Sequence, residues 1–250
     1  MEYLKKKNLS CDFFFIMGKK YEKVFSQFVK CKFINSGSIK SNMCSIVKNT
    51  NNDVVFISQY APHRMDEKGY NYRITDEIVL KNIVQFCEQK NLKCFIFLRV
   101  GNVAEKNYYK SILKNHIKFV HFHETYSNEE KFNFLDTFKL IVTVDSTIGY
   151  EMISRNKKVL LVSARDQFLI KDNEFRKLDF GFIYGDYYLD QGPFWMNKFS
   201  SEQEILKKIN EVYSYSDEKI IKEYKSYKDA LFYSDQDNIK LREILNEKIL

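Results

Sequence analysis

The chain has 250 residues, 44% hydrophobic and 16% aromatic, with two prolines and eight glycines; this composition suits a large buried core and excludes disordered, collagen-like and disulfide-scaffold classes. The net charge of +7 rests mainly on lysines spread among glutamates along helical stretches, so they read as solvated faces and no nucleic-acid partner is expected. Five cysteines without metal-ligand spacing, and no leader-like segment, point to reduced thiols in a cytoplasmic protein, and no apolar run is long enough to span a bilayer.

Taken in order, residues 12–18 read as a buried strand closing on Gly18. Tyr21, Val24, Phe25 and Phe28 then recur at one-face helical spacing, and Phe33-Ile34 forms a brief second strand. A composition shift at residues 49–53 marks a turn or linker, which predicts a partial strand–helix–strand segment over residues 1–50 and a main domain over residues 51–250. In the main domain residues 54–57 form a strand ending at Ser58-Gln59-Tyr60, and a loop with Pro62, His63, Arg64 and Asp66 leads to a helix over residues 75–89. Residues 94–98 are the next strand, ending at Arg99, Gly101 and Asn102. A helix over 105–113 and a strand over 119–122 follow. Ser127 and Glu130 form a capping box that opens a helix reaching residue 138.

Residues 140–162 are the most informative stretch. The apolar β-branched run 141–144 stops at Asp145-Ser146-Thr147; Gly149 follows, then a short helical pattern and a second apolar run at 159–162. This is a βαβ unit, in which the helix's first-turn N–H groups and dipole form a place for phosphate or carboxylate; the plainer alternative is a crossover with Ser146 or Thr147 as N-cap. Beyond residue 162 the pattern loosens into a long loop over 163–195. Ser201 and Glu204 form a second capping box before a helix with Ile205, Ile209 and Val212 inward. Two more helices carry Ile220, Tyr224, Tyr227 and Leu231, and then Leu241, Ile244 and Leu245.

The alternation predicts a doubly wound parallel Rossmann-like α/β sheet with C-terminal helices. Ligands bind such sheets at the carboxyl ends of the strands. That rule gathers Gln59, His63, Arg64, Asp66, Arg99, Asn102, His123, Glu124, Asp145 to Glu151, Arg165 and Asp166 on one polar rim with arginines suited to phosphate. His121 and His123 have the i, i+2 spacing of a metal pair without a third ligand near in sequence, so no metal is expected. No GxGxxG, P-loop, GxSxG or HExxH pattern is present.

The segment LDTFKLIVTVDSTIGYEMISRNKKVLLVSAR resembles the donor-binding half of GT-B glycosyltransferases of bacterial surface polysaccharides, with Kdo transferases of capsule and lipopolysaccharide assembly as the nearest likeness. The pattern is Ser146-Thr147-Ile148-Gly149-Tyr150-Glu151, then residues 155–158 as a basic turn. Asn156 stands where the family has a glycine. The resemblance implies that Ser146, Thr147 and Gly149 hold the donor phosphate, that Glu151 binds the nucleotide ribose, and that Gln59 occupies a polar position of the same site. With Arg99, His123, Glu124 and Asp145 these make up the expected nucleotide-sugar site, and His63 and Asp66 are candidates for the catalytic base. The implied reaction is transfer from a nucleotide sugar, such as CMP-Kdo, to a glycan or lipid-linked acceptor at the inner face of the membrane, without a cofactor. A complete GT-B enzyme has a full acceptor domain, so the chain reads as a truncated enzyme, a compact variant, or one whose acceptor side a partner protein supplies. The alternative is a non-catalytic donor-half subunit or scaffold.

Overall fold

Six short parallel strands make the centre of the molecule, which was obtained as a computed structural model describing residues 9–48, 50–61, 72–125, 127–144, 146–162 and 191–249. In chain order the elements are β1 (Leu9–Ile16), α1 (Lys20–Phe25), β2 (Val29–Asn35), α2 (Ile39–Asn42), β3 (Val54–Ile57), α3 (Tyr72–Lys90), β4 (Cys94–Phe97) and α4 (Val103–Leu113). After a 3-10 turn come β5 (Val120–His123), α5 (Asn128–Asp136), β6 (Leu140–Thr143), α6 (Thr147–Ser154), β7 (Val159–Val162), β8 (Trp195–Met196), α7 (Glu202–Ser214), α8 (Asp217–Leu231) and α9 (Ile239–Ile249).

The main sheet runs β5-β4-β3-β6-β7-β8, all parallel. Counted from β3, this is the doubly wound order 3-2-1-4-5-6, with its switch point between β3 and β6. Every residue of β3, β6 and β7 is buried, because helices cover both faces; that is why these strands are continuous apolar runs rather than alternating ones. Phe56 meets Tyr109 of α4 on one face, and Phe95 meets Phe134 of α5 on the other. The edge strand β5 is only partly covered. Its two histidines lie against aromatic rings, His121 on Phe95 (5.0 Å) and His123 on Phe134 (3.5 Å).

β1 and β2 form a separate two-stranded parallel sheet. It is held by the end of α8 and the residues after it. Lys19 N–H donates to Asp229 O (3.1 Å) and Tyr233 N–H to Met17 O (2.8 Å). Asn42 Nδ2 donates to Ser36 O and to Asn238 Oδ1, both 2.8 Å. The approach is close enough to require glycine. A Cβ on Gly18 would lie 2.3 Å from Ala230 O, and one on Gly37, at φ +68°, 2.1 Å from Tyr233 O.

A buried ion pair joins this N-terminal part to the main sheet. Arg155 Nε donates to Asp136 Oδ1 (3.0 Å) and its Nη2 to Asp136 Oδ2 (2.5 Å). The remaining guanidinium hydrogens go to the carbonyls of Ser41, Cys44 and Ser45 at 2.8–3.0 Å. Lys157 Nζ donates to Val47 O and Asp136 O, both 2.7 Å, and burial pushes its ammonium below the ordinary lysine range. The basic turn of residues 155–158 is therefore largely interior. Asn156 has φ +62°, the left-handed conformation that asparagine tolerates in place of glycine.

Five expectations need correction. The first strand is exposed or half-buried along its length, with only Ile16 buried, because it sits in a separate two-stranded sheet. Trp195-Met196 is a sixth strand rather than the end of a loop, too short to show a period; residues 163–190 lie outside the described residues. Ser201 makes no side-chain cap, because the Glu204 N–H donates to Ser201 O (3.1 Å), while Glu204 Oε2 accepts from Ser200 N–H (3.1 Å). The first helix ends at Phe25, so Phe28 falls in the following turn. Leu245 points outward, leaving Leu241 as the buried anchor of α9. Among the described residues no helix is long and apolar enough to cross a membrane.

Replacing Asp136 by Ala would leave the Arg155 guanidinium buried with half its ion pair gone. The expected cost is about 3–5 kcal/mol, read as a lower urea midpoint.

Candidate functional site

A cleft of about 750 Å³ opens at the carboxyl ends of β3, β4 and β6, at the switch point of the sheet. Ser58 and Gln59 line it after β3, Arg99 after β4, and Ser146 and Thr147 at the start of α6. Thr125, Ser127, Asn128 and Lys131 line it from the loop after β5 and the first turn of α5. Two helix N-termini thus face one cavity, each carrying partial positive charge, with a guanidinium and an ammonium beside them.

The β4–α4 loop that carries Arg99 is built around one carboxylate. Glu105 is fully buried; its Oε1 accepts from Arg99 N–H (2.8 Å), and its Oε2 from Val100 N–H (2.8 Å) and Gly101 N–H (2.9 Å). Ser58 Oγ also donates to Glu105 Oε1, and Tyr109 O–H to Ser58 Oγ (2.8 Å). Asn102 caps α4 by accepting from Glu105 N–H (2.8 Å). Gly101, at φ +75°, leaves room for Glu124, whose Oε2 would lie 2.6 Å from an added Cβ. The Arg99 side chain is exposed to the cleft, with Nη1 donating to Tyr60 O (3.4 Å).

The start of α6 is fixed by Thr143. Its Oγ1 donates to Ile57 O (3.4 Å) across the switch point and accepts from Ser146 N–H (3.3 Å). Ser146 is the N-cap, accepting from Ile148 N–H (3.4 Å). Gly149 is buried against the sheet, and its Cβ would stand 2.7 Å from Thr143 Cγ2 and 3.3 Å from Leu161 Cδ2. This glycine lets the helix lie close on β6 and β7, and so acts on the cleft through position. Glu151 is half-buried one turn after Thr147 and is not among the residues lining the cleft. Its Oε1 accepts from Ser38 Oγ (2.5 Å), in the segment before α2.

Lys131 is half-buried, with Nζ donating to Asn128 Oδ1 (2.9 Å). Burial pushes its ammonium below the usual lysine range, nearby Glu151 opposes this, and Lys40 adds to it.

The structure brings Gln59, Arg99, Ser146 and Thr147 together at the cleft. It does not bring His123 or Glu124 there. The His123 ring is stacked on Phe134, where burial lowers its pKa, and Glu124 pairs with Lys106 Nζ (3.3 Å). His63, Arg64, Asp66, Asp145, Arg165 and Asp166 lie outside the described residues. Lys131, Ser58 and Asn128 also line the cleft, beyond the residues that the strand-end rule gathers. The available signal was the Ser127–Glu130 capping box, whose two bonds are present (3.1 and 3.2 Å): it starts α5 just past a strand's carboxyl end, so the helix's first turn must face the cleft.

The sheet order and the cleft at its switch point define a doubly wound, Rossmann-like α/β protein. A family profile described as "putative O-antigen biosynthesis protein" matches residues 2–249, and the chain belongs to that family. Among solved structures the chain is similar to a variant of the wall teichoic acid polymerase TagF (11% identity, TM-score 0.57, covering 95% of this chain and 58% of that one). It is also similar to the accessory secretory protein 1, 2 and 3 structure from Streptococcus pneumoniae (9%, TM-score 0.50, 95% and 43%). A third is the UDP-GlcNAc 2-epimerase from Neisseria meningitidis bound to UDP-GlcNAc (14%, TM-score 0.45, 82% and 45%). At these identities the likeness to the first two is one of fold alone. The chain spans about half the length of the first solved structures it matches. Comparison with curated proteins gave no match.

Replacing Glu105 by Gln leaves one acceptor oxygen where two served three backbone N–H groups. Urea unfolding should show a loss of about 1–3 kcal/mol. Gly149→Ala forces a methyl onto Thr143 and should cost about 1–3 kcal/mol by overpacking, measured in the same way.

Proposed function

We propose that this chain is a glycosyltransferase-like protein of bacterial surface-polysaccharide synthesis that binds a nucleotide-activated sugar in the switch-point cleft. The observation that carries this reading is the meeting of two helix N-termini, Arg99 and Lys131 around one cavity of about 750 Å³. That is a charge distribution suited to a diphosphate or a phosphodiester. Membership of the O-antigen family supports the polysaccharide context. TagF, whose fold the chain shares, has been soaked with CDPG. Here Thr147 and the α5 N-terminus would take the phosphate oxygens, Arg99 and Lys131 would neutralise them, and Glu151, one helical turn beyond the lining residue Thr147, would accept from ribose hydroxyls that extend out of the cleft along α6.

Preorganised positive charge of this kind favours departure of the nucleotide, because it meets the charge that develops on the leaving group. The donor to test first is a CMP-linked sugar such as Kdo. We place the acceptor, a glycan or lipid-linked saccharide, on a partner domain or protein at the inner membrane face. The base that activates its hydroxyl would be His63, Asp66 or a group of that partner.

Calorimetric titration with CMP, CDP, UDP and their sugars should give saturable binding to the wild type. Arg99→Ala and Lys131→Ala should each weaken it about tenfold, the size of one charge-assisted hydrogen bond. Undetectable binding of every nucleotide and nucleotide sugar overturns the reading. Because burial lowers the Lys131 pKa, affinity should fall as pH rises, starting below the range in which an ordinary lysine deprotonates. Lys131→Arg should abolish that fall, since the guanidinium stays charged.

A second reading has an observation of its own. Among the described residues, the cleft lining holds cations, amides and hydroxyls but no carboxylate or imidazole, which suits a non-catalytic donor-binding subunit. Nucleotide binding without turnover, even with acceptor glycans and candidate partner proteins supplied, would favour it.

A further inference from the structure

We infer that Ser38 is a positioning residue of the nucleotide site, holding the Glu151 carboxylate in place to accept from a ribose diol; this rests on the nucleotide-binding reading above. The contact spans two parts of the chain 113 residues apart: Ser38 Oγ donates to Glu151 Oε1 at 2.5 Å. The hydroxyl also accepts from Ser41 N–H (3.4 Å), as the N-cap of α2. Its acceptor side faces its own helix and its proton is directed to Glu151.

The backbone that carries Ser38 is held from both ends. Gly37, at φ +68°, is pressed against Tyr233 O. Asn42 is tied to Ser36 O and Asn238 Oδ1, and Asn238 Nδ2 donates to Ile39 O (3.0 Å). A serine on so constrained a turn orients its partner with little entropy left to lose.

Glu151 needs such a hold because of its neighbour. Lys131 lies near enough to feel its charge, so the direction in which the carboxylate is held bears on how much positive charge Lys131 presents to phosphate. In the structure the two are kept to separate tasks: Lys131 Nζ donates to Asn128 Oδ1 at 2.9 Å, and Glu151 Oε1 receives Ser38. An ionised carboxylate accepts at about four lone-pair sites, so one serine leaves room for two sugar hydroxyls. The helical step from Thr147 to Glu151 puts both on one side of α6, with phosphate donors at the helix start and the diol acceptor one turn on.

The test compares CMP with its 2′,3′-dideoxy counterpart by calorimetry on wild type, Ser38→Ala, Ser38→Thr and Glu151→Gln, with thermal melts alongside. Wild type should prefer the ribonucleotide about tenfold. Ser38→Ala should lose most of that preference while keeping its affinity for the dideoxynucleotide. Ser38→Thr, which keeps the hydroxyl, should retain the preference, and Glu151→Gln should lose it. A Ser38→Ala protein with undiminished ribose preference overturns the inference and leaves nucleotide binding standing. Equal affinity of the wild type for the two ligands overturns the inference as well. A wild type that binds neither is compared in the same way with UDP and its 2′,3′-dideoxy counterpart, and one that binds no nucleotide or nucleotide sugar at all overturns the underlying reading. If Ser38→Ala does not fold, Ser38→Thr and Glu151→Gln decide: a full ribose preference in Glu151→Gln, or none in a folded Ser38→Thr, overturns the inference.

Discussion

The bidentate pair between Asp136 and Arg155 ties together three parts of the chain that the sheet alone would leave separate. Asp136 ends α5, Arg155 ends α6, and the guanidinium's other hydrogens reach the carbonyls of Ser41, Cys44 and Ser45. Taking both charges out of water is costly. It is offset here because the guanidinium's nitrogens meet either the carboxylate or a carbonyl, leaving little of the desolvation uncompensated. A lysine in the place of Arg155 could not satisfy so many partners at once. With the far end of α6 anchored, its near end is placed at the cleft, and α2 is brought beside Glu151.

The cleft is prepared by groups that do not line it. Glu105 spends its carboxylate on three consecutive backbone N–H groups, turning the loop after β4 into a rigid mount for Arg99. Thr143 bonds across to Ile57 and back to Ser146. Gly149 gives up a side chain so that α6 can rest on β6 and β7. Polar groups inside a low-dielectric interior hold their orientation best when their bonding capacity is used, and here those interior bonds leave the cationic groups directed to the solvent side.

How much of this could be read from the residues depended on how strongly burial writes itself into a pattern. β3, β6 and β7 are covered on both faces and stand out as unbroken apolar runs, so their boundaries were recovered within a residue. β8 has two residues and no period, and its Trp195 is packed so closely on Gly192 that an added Cβ would meet the indole at 2.0 Å. His123 and Glu124 look like strand-end ligands in sequence, yet His123 of edge strand β5 turns to Phe134 and Glu124, just past the strand, to Lys106. Lys131 shows the opposite failure. It resembles every other helical lysine until the capping box places it over the cleft. The contacts Asp136–Arg155 and Ser38–Glu151 join residues far apart in sequence, which local propensity does not encode.

The docking of β1 and β2 on Asp229, Tyr233 and Asn238 also bears on the order in which the molecule is assembled. Asn35 Nδ2 donates to Asp229 O across 194 residues, so β1 and β2 acquire their seat only once α8, far downstream of them, has been made. Contacts of such long range are slow to form, because loop closure must precede any gain. The main sheet, whose neighbours are nearer in sequence, can condense first, leaving β1, with its Phe13-Phe14-Phe15 run, and β2 waiting for α8. During synthesis their edges are open to wrong pairing, and Lys19 and Lys20 between the strands and Lys30 and Lys32 within β2 are well placed to keep them soluble until α8 arrives.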